Sequence, residues 1–496
     1  MANHGSYPQD IVPPISKYHD SGRFGRMFGK LPTFATDTPK IRKALLEIGE
    51  AGGIMDAKEN LLADPTQLIV DANLNVGNQN NPTLSAGMTF LGQFLDHDMT
   101  LDLTSSLERQ ADPEMIANFR TPSFGLDSVY GAGPDGSPFL YDQSAAGQGI
   151  KFLLELLAPG GKPDLPRNSQ LTVLTGDPRN DENVILSQLQ VAFLKFHNAV
   201  VDYVKTEIGL TAKGDIFKEA QRIVRWHYQW IITHEFLPKT CGQAVVDDVM
   251  NEGRKFYKWK NEPFIPVEFS VAAYRFGHSQ VRPSYRANFT GNPGNTPFFA
   301  MIFKEVHSSP TDPDDLTGGF RAKRRFIDWP TFFDFGDGNV RPNKKIDTIL
   351  STALFRLPSQ IVANPDPKTN PNSLAQRNLL RHLTFSLPSG QRVAKAMDLP
   401  VLAQSDLSML KKWGLDDHTP LWFYILREAA VQQSGERLGA VGGRIVTEVF
   451  IGLLEGDRGS YLSQDPEWEP FLPTIDPAKT GEDFSMIDLL RFAGVA

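Results

Sequence analysis

The chain reads as mainly α: a single large helical domain with long loops and little β-structure. Three observations predict this class. Apolar residues recur at helical spacing in several stretches, alternating strands are few, and no linker separates two independent cores. The 41 glycines and 36 prolines among 496 residues predict long irregular connections. Residues 1–60 mix Pro, Gly and aromatic residues and read as an extended arm packed on a body formed by residues 61–496. Asn73–Gly87 reads as a loop, and Phe90–Thr100 as a helix. Gly131–Pro138 and Ala158–Pro166 are again loops. Val184–Val204 carries Ile185, Leu189, Phe193, Phe196, Val200 and Val204 on one stripe, with Asp177 or Asn180 as a cap. Ile216–Leu237 repeats Phe217, Ala220, Val224 and Ile231, and Pro238 is expected to stop it. Thr290–Pro297, His307–Gly319 and Asn364–Ser373 read as loops. Leu374–Leu387, Leu421–Gln432 and Arg444–Leu454 read as helices.

Composition narrows the function classes. Hydrophobic content of 41% and charge of 22% are ordinary for a globular protein. A net charge of −8 without a Lys/Arg block argues against nucleic acid as a partner. The single cysteine, Cys241, excludes an intrachain disulfide and a thiolate metal cluster. No run of 18 apolar residues stands out, so no membrane span is expected. The opening residues have no secretory signal pattern, so a cytoplasmic protein, or one exported without a classical signal, is expected. Oligomeric state is open.

The most informative segment is Phe90–Thr100, FLGQFLDHDMT. Gln93 and His97 share a helix face, and Asp96 and Asp98 flank the histidine. Such a polar cluster on an apolar segment needs partners, which a cofactor or metal can supply. A salt-bridged helix end or a satisfied core histidine fits the same residues. Of the other histidines, His4, His19, His307 and His418 fall in the arm or polar turns. His227, His234, His197 and His382 lie on or near apolar stripes and suit core packing. His278 follows Gly277, whose small size allows a flat ligand to approach. In Gly176–Asn183, GDPRNDEN, Arg179 and Glu182 stand three apart at a helix N-terminus, where acidic residues are favoured anyway.

Together these segments resemble the animal-type haem peroxidases of the peroxidase–cyclooxygenase superfamily, the bacterial members most. FLGQFLDHDMT resembles the distal-histidine motif, and RTPSFGLDSVYG (Arg120–Gly131) the calcium loop. GDPRNDEN with SQLQVAFLKFHN resembles the catalytic-arginine segment, and YRFGH (Tyr274–His278) the proximal-histidine motif. LAQRNLLRHLTFSLPSGQ (Leu374–Gln391) and GGRIVTEVFIGLL (Gly442–Leu454) resemble later family segments. Six segments in family order span Phe90 to Leu454.

The resemblance implies roles. His97 is the distal base, Gln93 holds water or halide beside it, and Arg179 is the distal arginine. His278 is the proximal iron ligand, and Asn378 accepts a hydrogen bond from its imidazole. Arg275 and Arg381 pair with haem propionates. Asp96 and Glu182 match carboxylates that form haem esters in mammalian members, so the cofactor is haem b or an ester-linked derivative. Asp98, Thr121, Ser123 and Asp127 would hold Ca2+, with Asp127 standing in for an aspartate replaced here by Gly125. The implied activity is reduction of hydrogen peroxide through a ferryl intermediate, with oxidation of halide, pseudohalide or small aromatic donors. A histidine near its reference pKa of about 6.5 can take the peroxide proton, and a fixed arginine stabilises developing charge.

Two departures shape the expectation. Asn183 stands where a sulfonium-forming methionine follows the ester glutamate, so no sulfonium link is expected. Arg275 stands three residues before His278, where fatty-acid dioxygenases carry a radical tyrosine; Tyr274 is one place further away. A haem-dependent fatty-acid dioxygenase is the alternative within the superfamily. A non-haem metal-dependent hydrolase built on Asp96, His97 and Asp98, or a non-catalytic helical scaffold, are alternatives of other classes.

Overall fold

The computed structural model describes residues 24–70, 77–100, 118, 120–157, 161–260, 262–304, 309, 311–359, 361–362 and 364–496. The architecture is helical, with four two-stranded sheets among the described residues. Apolar side chains from Phe24 to Ala493 form one contiguous core.

Helical periodicity locates the main elements. Helices run over Ala86–Met99, Val184–Tyr203, Leu374–Thr384, Leu421–Gln433 and Ala440–Gly456. Val184–Tyr203 is capped by Asn183, whose side chain accepts from the Leu186 N–H, rather than by Asp177 or Asn180. Asp177 instead caps the short 3-10 turn Pro178–Asp181. The helix is prolonged by a π turn, and Val184–Ile208 is long and apolar enough to cross a bilayer, yet 83% of its apolar window is buried inside the protein.

Pro238 does not end the Ile216 helix. Lys213–Ile231 passes into a π turn, Ile232–Phe236, and then into Leu237–Cys241. The π turn offsets the hydrogen-bond ladder, and Pro238 falls at the start of the new segment, where its missing N–H costs little.

Two expected loops pair as strands. Asn80–Ser85 lies antiparallel to Pro342–Lys344, and Ser284–Asn292 forms a hairpin with Thr296–Met301. The first pairing joins segments distant in sequence, so local pattern does not show it.

The N-terminal segment lies against the body, as far as it is described. Phe24–Gly25 pairs with Ile265–Pro266, and the Met27 and Phe28 N–H groups donate to buried Glu268. It is not extended throughout: Pro39–Ile48 is a helix capped by Thr38, burying Ala44, Leu45 and Ile48.

The Ala86–Met99 helix is seated tightly. A Cβ at Gly87 would lie 2.6 Å from the Phe332 carbonyl oxygen, so only glycine permits this approach. Phe94 stacks on Phe193 at 4.6 Å between ring centroids. These contacts fix the helix that carries Gln93, Asp96 and His97.

Candidate functional site

A cavity of about 340 Å3 opens between this helix and the segment Val267–Val281. Gln93, Asp96, His97, Arg179, Glu182, Arg275, His278 and Arg381 all line it. Its apolar walls include Phe90, Val271, Phe276, Ile302 and Leu354.

His97 is buried and its Nδ1 lies 2.9 Å from Asn180 Oδ1. Burial, followed by the positive charge of Arg179, pushes its pKa down to about 4. The ring is therefore neutral near pH 7, well below the sequence expectation of about 6.5.

Arg179 is clamped by Asp177. Its Nε donates to Asp177 Oδ1 at 3.1 Å and its Nη2 to Oδ2 at 2.8 Å. Nη2 also donates to the carbonyls of His97 and Thr100. Burial opposes ionisation of Asp177, but Arg179 and then Arg120 hold its carboxyl well below the usual range.

Glu182 and Asp96 both face the cavity. Gln93 Nε2 donates to Glu182 Oε2 at 3.0 Å, and Asn183 Nδ2 donates to Gln93 Oε1 at 3.3 Å. Gln93 is thus an anchored amide. Asn183, which departs from the methionine pattern, both caps a helix and orients it. Burial raises the pKa of Glu182, and Asp96 adds to the rise against the pull of Arg179.

Across the cavity, His278 sits in a broken helix. Glu268–Ala272 is π, Ala273–Phe276 is 3-10, and Gly277–Gln280 is a single α turn. Trp422 Nε1 donates to the Arg275 carbonyl at 3.1 Å, tying this segment to the Leu421–Gln433 helix. A Cβ at Gly277 would meet nothing within 4 Å, so the backbone beside His278 has open space. Burial, then Arg275, lowers the pKa of His278 to about 3. The Asn378 carboxamide lies 2.8 Å from His278 Nδ1. An amide's O and N exchange by a half-turn. With the oxygen inward, Nδ1–H donates and Nε2 keeps its lone pair. Tyr274 also lines the cavity, with its hydroxyl donating to the Gly92 carbonyl at 2.9 Å.

Asp96 and His97 line the cavity, while Asp98 turns away from it. Asp98 accepts from the Leu126 N–H at 3.0 Å, the Ser128 hydroxyl at 3.2 Å and Tyr228 Oη at 3.3 Å. No cluster of three His, Cys, Asp or Glu side chains suited to a metal occurs among the described residues.

The predicted calcium residues do gather. Burial and the charge of Asp127 raise the pKa of Asp98 to about 7. Burial also raises that of Asp127, against a hydrogen bond with Thr121. A Cβ at Gly125 would lie 3.3 Å from Asp127 Oδ1 and 3.4 Å from Ser123 Oγ. The Asp127 carboxylate thus lies beside the position that Gly125 leaves bare.

Sequence reading missed Asn180, Gln190 and Ser128, which link to His97 by hydrogen bonds. The one available signal was Gln190, a polar residue inside a long apolar run. Of the other histidines, His197, His227 and His382 are buried and hydrogen-bonded, as expected. His234 is not: it is exposed and stacks on Trp230 at 3.5 Å. His418 is exposed in its turn, while His4, His19 and His307 lie outside the described residues.

The site is thus a largely apolar cavity lined by two histidines, arginines and carboxylates. The animal haem peroxidase family model matches residues 152–322, which hold Arg179, Glu182, Arg275 and His278. Peroxidasin of Drosophila melanogaster is 25% identical over 329 residues, 63% of this chain and 20% of that protein. Peroxidase mlt-7 of Caenorhabditis elegans is 34% identical over 119 residues, 24% of this chain and 16% of that protein. The chain therefore matches about a fifth of the length of these curated relatives. Peroxidase A of Dictyostelium discoideum shares the fold, with a TM-score of 0.57, 15% identity, and coverage of 95% of this chain and 93% of that one. Oryza sativa fatty acid alpha-dioxygenase aligns with a TM-score of 0.54, 14% identity, and coverage of 86% and 82%. The similarity is thus to animal haem peroxidases, with the family model matching residues 152–322 of this chain.

Proposed function

We propose that the protein is a peroxidase that binds haem in this cavity and reduces hydrogen peroxide at the expense of a small halide, pseudohalide or aromatic donor. The observation that carries the reading is the convergence of His97, Arg179 and His278 on one cavity. The residues fit the group: a cavity with apolar walls, an imidazole nitrogen left bare when Asn378 accepts from the other, and arginines for the propionates. His278 would hold the iron, and Arg275 and Arg381 would hold the propionates. Haem, when bound, supplies the reduction of peroxide and the one-electron oxidation of donors.

The chain's own residues handle the proton and the charge. His97, neutral at pH 7, takes the peroxide proton at Nε2 and returns it to the departing oxygen. Arg179 offers a fixed guanidinium to the negative charge that develops as the O–O bond breaks. Because Asp177 already holds it, no reorganisation is needed at that moment. Gln93, anchored by Glu182 and Asn183, orders water or halide beside His97. Asn378 sets the basicity of His278.

Asp96 and Glu182 are the carboxylates suited to ester attachment. Asp98, Thr121, Ser123 and Asp127 offer oxygen ligands for Ca2+, and two buried acids in mutual repulsion favour a cation between them. Residues 61–496 form the catalytic body in this reading, with the described part of the N-terminal arm, residues 24–60, packed on it. A dioxygenase reading draws on the Oryza sativa neighbours, but Arg275 occupies the radical-tyrosine position. Oxygen uptake with an unsaturated fatty acid would revive it.

The test is His97→Ala in the haem-loaded protein. The Soret band should persist while peroxide turnover falls by at least about 100-fold. Undiminished turnover would refute the assignment of His97.

A further inference from the structure

His97 can act as a base on the cavity side only if its proton sits on Nδ1. The structure carries a device that selects this tautomer. Asn180 Oδ1 lies 2.9 Å from His97 Nδ1, Asn180 Nδ2 donates to Gln190 Oε1 at 2.9 Å, and Gln190 Nε2 donates to the Ser128 carbonyl at 3.4 Å. Gln190 Nε2 also donates to Thr175 Oγ1 at 3.3 Å.

The polarity of this chain is set at its far end. A backbone carbonyl can only accept, so Gln190 must present its NH2 to Ser128. Its oxygen then faces Asn180, which must answer with its own NH2. Asn180 is left with an oxygen facing the imidazole, which must donate. Turning one amide over would place N–H against N–H at one junction and leave two oxygens facing each other or an acceptor unmet at the next. Asn180, Gln190, Ser128 and His97 are all buried, so water does not replace a lost partner.

We propose that Asn180 and Gln190 are positioning residues that fix the protonated nitrogen of His97, holding Nε2 bare toward the cavity. The anchor is also tied to the histidine's neighbour: Ser128 donates its hydroxyl to Asp98 Oδ1 at 3.2 Å. The relay thus joins the His97 helix to the 3-10 turn Pro178–Asp181, the Val184–Tyr203 helix and the short helical turn Asp127–Tyr130. Its catalytic consequence rests on the reading of His97 as the base; the tautomer itself does not.

The experiment is 15N NMR of the full-length protein labelled at histidine ring nitrogens, in its diamagnetic ferrous carbonyl form. The His97 signals are those lost in His97→Gln. Nδ1–H with an unprotonated Nε2 near neutral pH is expected; Nε2–H in the unsubstituted protein would overturn the proposal. Asn180→Leu and Gln190→Met should each move the population toward Nε2–H. Asn180→Asp should keep Nδ1–H, since a carboxylate also accepts. An unchanged tautomer in both the Leu and Met variants would also overturn it.

A second readout is the rate at which hydrogen cyanide, which must give up its proton to bind, shifts the Soret band. It should fall about 10–100-fold in Asn180→Leu and Gln190→Met and stay within about threefold in Asn180→Asp. A purely structural role would slow all three variants alike and leave the tautomer in place. If the protein carries no haem, the peroxidase reading fails, while the same NMR measurement still decides the relay.

Discussion

His382 gives a quantitative test of how the wall behind His278 is held. It is fully buried in the Leu374–Thr384 helix, and both its nitrogens are engaged. Nδ1–H donates to the Asn378 carbonyl at 2.8 Å, and Nε2 accepts from the Trp422 N–H at 2.9 Å. A proton on Nε2 would displace that bond, and burial lowers the pKa to about 4. In the unfolded chain the value is about 6.5. The folded value lies below the unfolded one, so the unfolded chain binds more protons between the two. The histidine's contribution is complete above about pH 6.5 and is lost as pH falls toward 4. Integrated from roughly pH 7.5 to roughly pH 5, the loss is about 2 kcal/mol. His382→Gln removes the titration. The variant should be less stable near neutrality, by about 1–3 kcal/mol for a buried partner left unmade. Its stability should nevertheless fall about 2 kcal/mol less over the same pH interval. Urea unfolding of both proteins at the two pH values, followed by tryptophan fluorescence, gives the difference directly. Parallel pH profiles would refute the claim that His382 is held neutral.

Other outcomes follow from the site. Arg179→Gln should retain haem but lose about 100–1,000-fold in kcat/KM for peroxide, measured by donor oxidation; a change confined to the donor's KM would contradict its role. Asp127→Ala should weaken calcium binding at least about tenfold by titration calorimetry, and a wild-type protein indifferent to calcium would remove the site. Acid–organic extraction should leave haem attached to the wild type and release it fully only from the Asp96→Asn, Glu182→Gln double variant; free haem from the wild type would exclude the esters.

Much of this molecule was legible from pattern. The Val184 helix was placed to within a residue at each end, because its apolar stripe recurs at helical spacing. Its cap was not, because Asp177, Asn180 and Asn183 are all competent cap residues and only the fold chooses among them. The passage of helix through Pro238 depends on a π turn that leaves no mark in composition. At the site, His97, Arg179, His278 and Asn378 were readable as a set, since each sits in a recognisable local motif. Asn180 and Gln190 were not, because a neutral amide carries no chemical signature until its partners are known. His234 shows the converse error: an apolar stripe suggested burial, while one side of Trp230 offers it only a stacking surface.

The cavity lined by His97 and His278 is proposed as a haem site in which His278 would hold the iron. Titration of the full-length protein with haem, followed at the Soret band, tests it most directly. Saturation at one equivalent is expected, with the band shifted and binding weakened in His278→Ala but not in His97→Ala. No Soret change in the wild type, or an identical spectrum and affinity in His278→Ala, would contradict it.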